Sequence, residues 1–260
     1  MKKALILCFF LFSCSQEDQV KEKNIKVDYI LRNDNTLFCP LYKPKFKRRD
    51  IYPWEEGKVS NICKITKEFF RCKGSSSNHP VQRKKTYNDC NSKHGLPLFL
   101  KKEGVYPILI ELLNYIQYQT KKSVIITWGH RCPIHNAYSD GSKLNTISKH
   151  MIGAEVDFFV KGMEYKTTEI IELIFSFYRE KKKYLGKEGY KNFSRYNKNT
   201  NVSTKPWFNK EIFLKLFLEK EGRDFDNKHP YPYISIAVRY DIDEKKNVMY
   251  SWKKANEYLR

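Results

Sequence analysis

The run Ser148-Lys149-His150-Met151-Ile152-Gly153-Ala154-Glu155-Val156-Asp157 sets a histidine seven positions before an aspartate, with a glycine between them. Imidazole nitrogen and carboxylate oxygen are the neutral and anionic donors that a borderline ion such as zinc accepts. Gly153 lets the chain turn sharply, so a loop histidine and a strand aspartate can converge on one ion. A single pair of this kind arises in many chains by chance, and its meaning depends on the residues around it. Upstream, residues 129–136 (GHRCPIHN) are polar and turn-rich. His130 and His135 read there as solvated loop histidines.

Positioning such a pair requires regular elements on either side. Residues 106–118 (YPILIELLNYIQY) place Ile108, Leu109, Leu112, Leu113 and Ile116 on one helical face. Residues 123–128 (SVIITW) are β-branched and apolar, as in a buried strand. Residues 154–160 (AEVDFFV) read as a second strand carrying Asp157, and 167–184 as a helix burying Ile170, Ile171, Ile174, Phe175 and Tyr178. Residues 186–205 look like a basic, flexible loop. Helical spacing resumes over 211–221 through Ile212, Phe213, Leu216 and Phe217, with Gly222 as its stop. Residues 233–241 (YISIAVRYD) form a third strand, and 248–252 a fourth. Helices alternating with strands across long polar connections give an α+β domain over residues 96–260.

The N-terminus bears on the compartment. Met1, Lys2 and Lys3 precede a nearly all-apolar stretch, 4–12, that is shorter than the about 20 residues a membrane span needs. It fits a secretory signal, and Leu11-Phe12-Ser13-Cys14 looks like a bacterial lipobox. That resemblance implies cleavage after residue 13, a lipid on Cys14, and an exported, membrane-anchored lipoprotein. Five cysteines then remain in a disulfide-permissive space: Cys39, Cys63, Cys72, Cys90 and Cys132. Two bridges and one thiol is the simplest arrangement, making 14–95 a disulfide-stapled, loop-rich N-terminal region. A bridge at Cys132 would hold the loop around Arg131.

The 260 residues carry 49 Lys+Arg against 29 Asp+Glu, a formal +20, and 15% aromatic residues, which excludes a disordered chain. Losing Lys2 and Lys3 with the signal lowers +20 to +18. That charge suits an anionic envelope, and it is equally the background of a lysine-rich composition.

Ser-x-His-x-x-Gly-x-x-x-Asp at 148–157, preceded by 129–136, resembles the zinc D-alanyl-D-alanine peptidases of the VanX and VanY type, with their murein endopeptidase and endolysin relatives. The resemblance covers about 106–241. It implies the LAS or hedgehog-like metallopeptidase core, a small antiparallel sheet flanked by helices, and Zn2+ as cofactor. It makes His150 and Asp157 metal ligands, Arg131 the contact to substrate or to the developing oxyanion, and Ser148 a substrate-positioning residue. Asp226-Asn227-Lys228-His229 matches the family's D/E-x-x-H, so His229 becomes the third ligand and Asp226 the general base, with Asp224 an alternative base. Another branch of the family carries its third histidine inside the strand as H-x-D, where this chain has Ser235-Ile236-Ala237.

Two functions therefore stand. One is a lipid-anchored zinc carboxypeptidase or endopeptidase cleaving peptidoglycan stem peptides or cross-links. The other is a non-catalytic peptidoglycan-binding lipoprotein with a degenerate metallopeptidase fold. Both take peptidoglycan peptides and the membrane as partners. Nucleic acid, supported by charge alone without a motif, is not an expected partner.

Overall fold

The computed structural model describes residues 64–72, 81–82, 85–86, 95–99, 102–133, 135–136, 147–222 and 229–258. The lipobox cysteine Cys14, Cys39, Cys63, Cys90, Asp224 and Asp226 lie outside the described residues.

A six-stranded antiparallel sheet organises the described chain. We number its strands β1 (Val124–Trp128), β2 (Glu155–Val160), β3 (Ser194–Arg195), β4 (Trp207–Phe208), β5 (Ile212–Phe217) and β6 (Tyr233–Val238). Their spatial order is β1-β2-β6-β5-β4-β3. The helices are α1 (Pro107–Thr120), α2 (Thr167–Glu180), α3 (Glu188–Lys191) and α4 (Trp252–Glu257). The class is α+β.

Period-two alternation divides the central sheet into two chemically different faces. Val124, Ile126, Val156, Phe158, Val160, Ile212, Leu214, Leu216, Ile234, Ile236 and Val238 join one hydrophobic core with Leu109, Leu112, Leu113 and Ile116 of α1 and Ile170, Ile171, Ile174 and Phe177 of α2. Each such fully buried side chain stabilises the fold by about 1.5–3 kcal/mol relative to exposure. Pro107 starts α1, where its missing N–H is no loss, and Lys121 in the left-handed region ends it. Tyr115 fastens α1 to α2: its ring meets Phe177 edge-on at 5.3 Å and its hydroxyl donates to Glu180 Oε2 at 2.8 Å. The other face of the sheet carries Glu155, Asp157, Phe159, Phe213, Lys215, Phe217, Tyr233 and Ser235.

Three elements differ from the sequence reading. Residues 211–221 are not a helix, because 212–217 (IFLKLF) form β5, paired along its length with β6. All six of its residues are buried, so both faces require cover. An apolar run this short carries no decisive period, and sheet pairing outweighs helical spacing. Residues 248–252 form no strand. Ser251 instead caps α4, its Oγ accepting from the Lys254 N–H at 3.1 Å. The stretch 186–205 is ordered rather than a flexible loop, since it contains α3 and β3, and β3 pairs with β4.

The segment 64–72 is built into this same core. Ile65, Phe69 and Phe70 are buried in it, so the core begins well before residue 96. Asn114 of α1 clasps Ile65 by accepting from its N–H and donating to its carbonyl, both at 2.8 Å. Arg71 forks onto Glu103 at 3.1 and 2.9 Å.

Candidate metal centre

The histidine comes from a tight turn. Ser148 caps the 3-10 turn Lys149–Ile152, its Oγ accepting from the His150 N–H at 3.2 Å. Gly153 closes that turn at φ +66°, and an added Cβ would stand 2.9 Å from Pro97 Cγ. Both demands select glycine, and the sharp reversal expected of Gly153 is present. The chain re-enters the sheet as β2, which aims Glu155 and Asp157 at the same face.

The imidazole is held in one orientation. His150 Nδ1 lies 2.7 Å from the Gly129 carbonyl oxygen. A carbonyl only accepts, so Nδ1 carries the proton and Nε2 faces the carboxylates. The neighbouring His130 Nδ1 donates likewise to the His150 carbonyl at 2.9 Å. His150 Nε2 stands 3.4 Å from Asp157 Oδ2 and 3.9 Å from Glu155 Oε2. Glu155 receives the Ser148 hydroxyl at 3.3 Å and the Ser235 hydroxyl at 3.0 Å, with Lys215 Nζ 3.9 Å from its Oε1.

Sheet register sets these residues side by side. Asp157 lies directly opposite Ser235, and Ser235 directly opposite Lys215. A register shift between Ile126 and Trp128 sets Trp128 opposite Asp157 on the other side. The Arg131 guanidinium rests over the Trp128 ring at 4.8 Å, and the Arg131 backbone N–H donates to the His150 carbonyl at 3.2 Å.

Burial pulls the His150 imidazole toward its neutral form, and the Asp157 and Glu155 carboxylates outweigh that, holding its pKa above the usual histidine value. Burial pushes Glu155 up, and His150, Lys215 and Lys149 together with the Ser235 hydroxyl outweigh it, so Glu155 stays ionised below the usual carboxylate range. In this arrangement a proton and a cation compete for Nε2.

The residues fit a metal ion. Two ligands about 2.1 Å from a tetrahedral ion stand about 3.4 Å apart, close to the His150 to Asp157 separation. Among the described residues, the group whose ligand atoms all lie within 4.8 Å of one another is His150, Glu155 and Asp157. Asp157 Oδ1 is buried and makes no hydrogen bond among them.

No family model matches the chain, and neither a curated protein nor a solved structure is similar to it. The fold and the site speak for themselves.

The structure thus brings together His150, Asp157, Ser148 and Arg131 of the residues singled out from sequence. His229 packs on this same face of the sheet, against Phe159 with ring centroids 5.2 Å apart and edge-on to Tyr233 at 5.4 Å, and is not among the three residues whose ligand atoms lie within 4.8 Å of one another. Ser148 spends its hydroxyl on the turn and on Glu155. His130 and His135 are buried rather than solvated, because the segment 64–72 packs over their loop: the His130 N–H donates to the Phe70 carbonyl. Cys72 and Cys132 are buried on either side of His135, Cys72 Sγ 3.1 Å from its Nδ1 and Cys132 Sγ accepting its backbone N–H at 3.4 Å. Glu155 and Lys215 were not foreseen. Glu155 could have been, since two residues along a strand return to the same face.

Proposed function

We propose that this chain is a metal-dependent peptidase of the bacterial envelope, holding zinc at His150, Asp157 and Glu155. Its substrates are peptidoglycan stem peptides or cross-links, cleaved as a carboxypeptidase or an endopeptidase, with Cys14 as the lipid anchor. The observation that carries this reading is the His150 imidazole, locked through Nδ1 and facing two buried carboxylates at ligand spacing. A helix-backed antiparallel sheet whose polar face bears this turn-histidine and strand-aspartate is the arrangement expected of a LAS-type core.

When bound, the ion supplies Lewis-acid chemistry, polarising a carbonyl and acidifying water. The chain's own groups do the rest. Gly129 and Ser148 hold the histidine turn, Ser235 and Lys215 hold Glu155, and Trp128 supports Arg131 from one side. The Arg131 guanidinium can pair with a substrate carboxylate or with the negative oxygen that develops as an amide is attacked.

A second reading is favoured by one observation. Ser235 stands directly across from Asp157 where the H-x-D branch carries a histidine, and a lysine lies beside Glu155. A degenerate, non-catalytic wall-binding protein would look like this.

One experiment separates the two. Mature protein is assayed for bound zinc and for release of D-alanine or cleaved stem peptide from sacculi, with and without chelator, beside His150→Ala. The peptidase reading expects stoichiometric zinc, chelator-sensitive release and a loss of at least about 100-fold in the variant. Zinc-free protein that binds sacculi without cleaving them establishes the second reading instead.

A further inference from the structure

We infer that Lys215 is a resident cation of the centre and sets how tightly it holds a divalent ion. The inference rests on the metal reading above and concerns a residue outside the proposed ligand set. Lys215 sits in the middle of β5, 1% exposed, on the row of the sheet that runs through Ser235 to Asp157. Phe213 and Phe217 flank it on the same face, their ring centroids 6.0 and 5.8 Å from Nζ. A buried ammonium requires a counter-charge, and Glu155 Oε1 lies 3.9 Å away.

The consequence follows from the charges. Glu155 and Asp157 contribute two negative charges, and Lys215, beside Glu155, offsets one of them, in addition to the nearby cations of Lys149 and Arg131. A divalent ion entering the ligand set meets both the carboxylates and the repulsion of the lysine. Inside a protein a unit charge several ångströms away acts strongly on a divalent ion even at a high effective dielectric. Lys215 therefore holds Glu155 in place by the ion pair between them while holding the affinity down, which makes it a positioning residue for the centre.

The test is the zinc affinity of the full mature chain, measured by competition with a chromophoric chelator, with near-UV circular dichroism reporting the fold. Lys215→Met is expected to bind zinc about tenfold tighter or more, and Lys215→Arg, which keeps the charge, to stay within about threefold of the parent. Should Lys215→Met fail to fold, the pair is removed together: Glu155→Gln/Lys215→Met removes both members of the 3.9 Å pair and is compared with Glu155→Gln alone, the same tightening being expected. Unchanged or weaker binding in either comparison overturns the role of Lys215 and leaves the metal reading standing. A parent chain that binds no zinc overturns the metal reading, and this inference with it.

Discussion

At Gly129 the chain that orients His150 runs against the backbone of Phe70, where an added Cβ would stand 2.5 Å from Phe70 Cα and 2.7 Å from its carbonyl oxygen. Backbone cannot swing aside as a flexible side chain can, so Gly129→Ala is expected to cost about 1–3 kcal/mol and to move the carbonyl that fixes His150. Urea unfolding measures the first effect, and zinc affinity, falling in parallel, measures the second. A variant as stable as the parent would show that the 64–72 segment can retreat. At this scale much of the centre was legible. His150, Asp157, Arg131 and the turn at Gly153 were readable because residue type and short spacing carry the information. Glu155 was overlooked inside the same motif, and Lys215 had no local signal, since only the pairing of β5 with β6 and of β6 with β2 brings a lysine sixty residues downstream beside a carboxylate.

Between elements, the joint of α2 with β5 is polar. Glu211, at the head of β5, accepts the hydroxyl of Tyr184 inside the core that α2 and the 3-10 turn Lys182–Tyr184 close. Burial raises the Glu211 carboxyl above its usual pKa, and the hydrogen bond from Tyr184 offsets only part of that. The folded state thus holds this proton more tightly than the unfolded chain. The associated stability is fully present below the ordinary carboxylate pKa, declines as pH rises, and is gone above the raised folded value. The Tm of the parent relative to Glu211→Gln should therefore be highest at the acid end of a series from about pH 4 to 8 and fall with rising pH. A difference that is flat or rises refutes the assignment. Elements with a clear period, such as 106–118, 154–160 and 233–241, were legible in the sequence. The stretch 211–221 was not, because Ile212, Phe213, Leu216 and Phe217 met helical spacing as well as strand pairing. The decision between them is made by β6, a partner far along the chain.

For the molecule as a whole, +20 on 260 residues means that association with any polyanion is weakened by salt. On the proposed envelope function, the mature chain should be retained on isolated sacculi at about 50 mM NaCl and largely released at about 500 mM, with His150→Ala behaving as the parent in a sedimentation assay. Retention that ignores salt would show that shape and hydrogen bonding, rather than charge, hold the protein to the wall. Among the described residues no helix is long and apolar enough to cross a membrane. The row that joins Lys215, Ser235, Asp157 and Trp128 draws one side chain from each of four different strands. Cross-strand neighbours in such a ladder lie about 4.5–5.5 Å apart at Cβ whatever their identity. The spacing of the row therefore belongs to the backbone, and its chemistry to the four side chains the strands supply. At that fixed spacing each strand can present a different side chain with the row's geometry kept, provided the buried charges it adds or removes stay balanced.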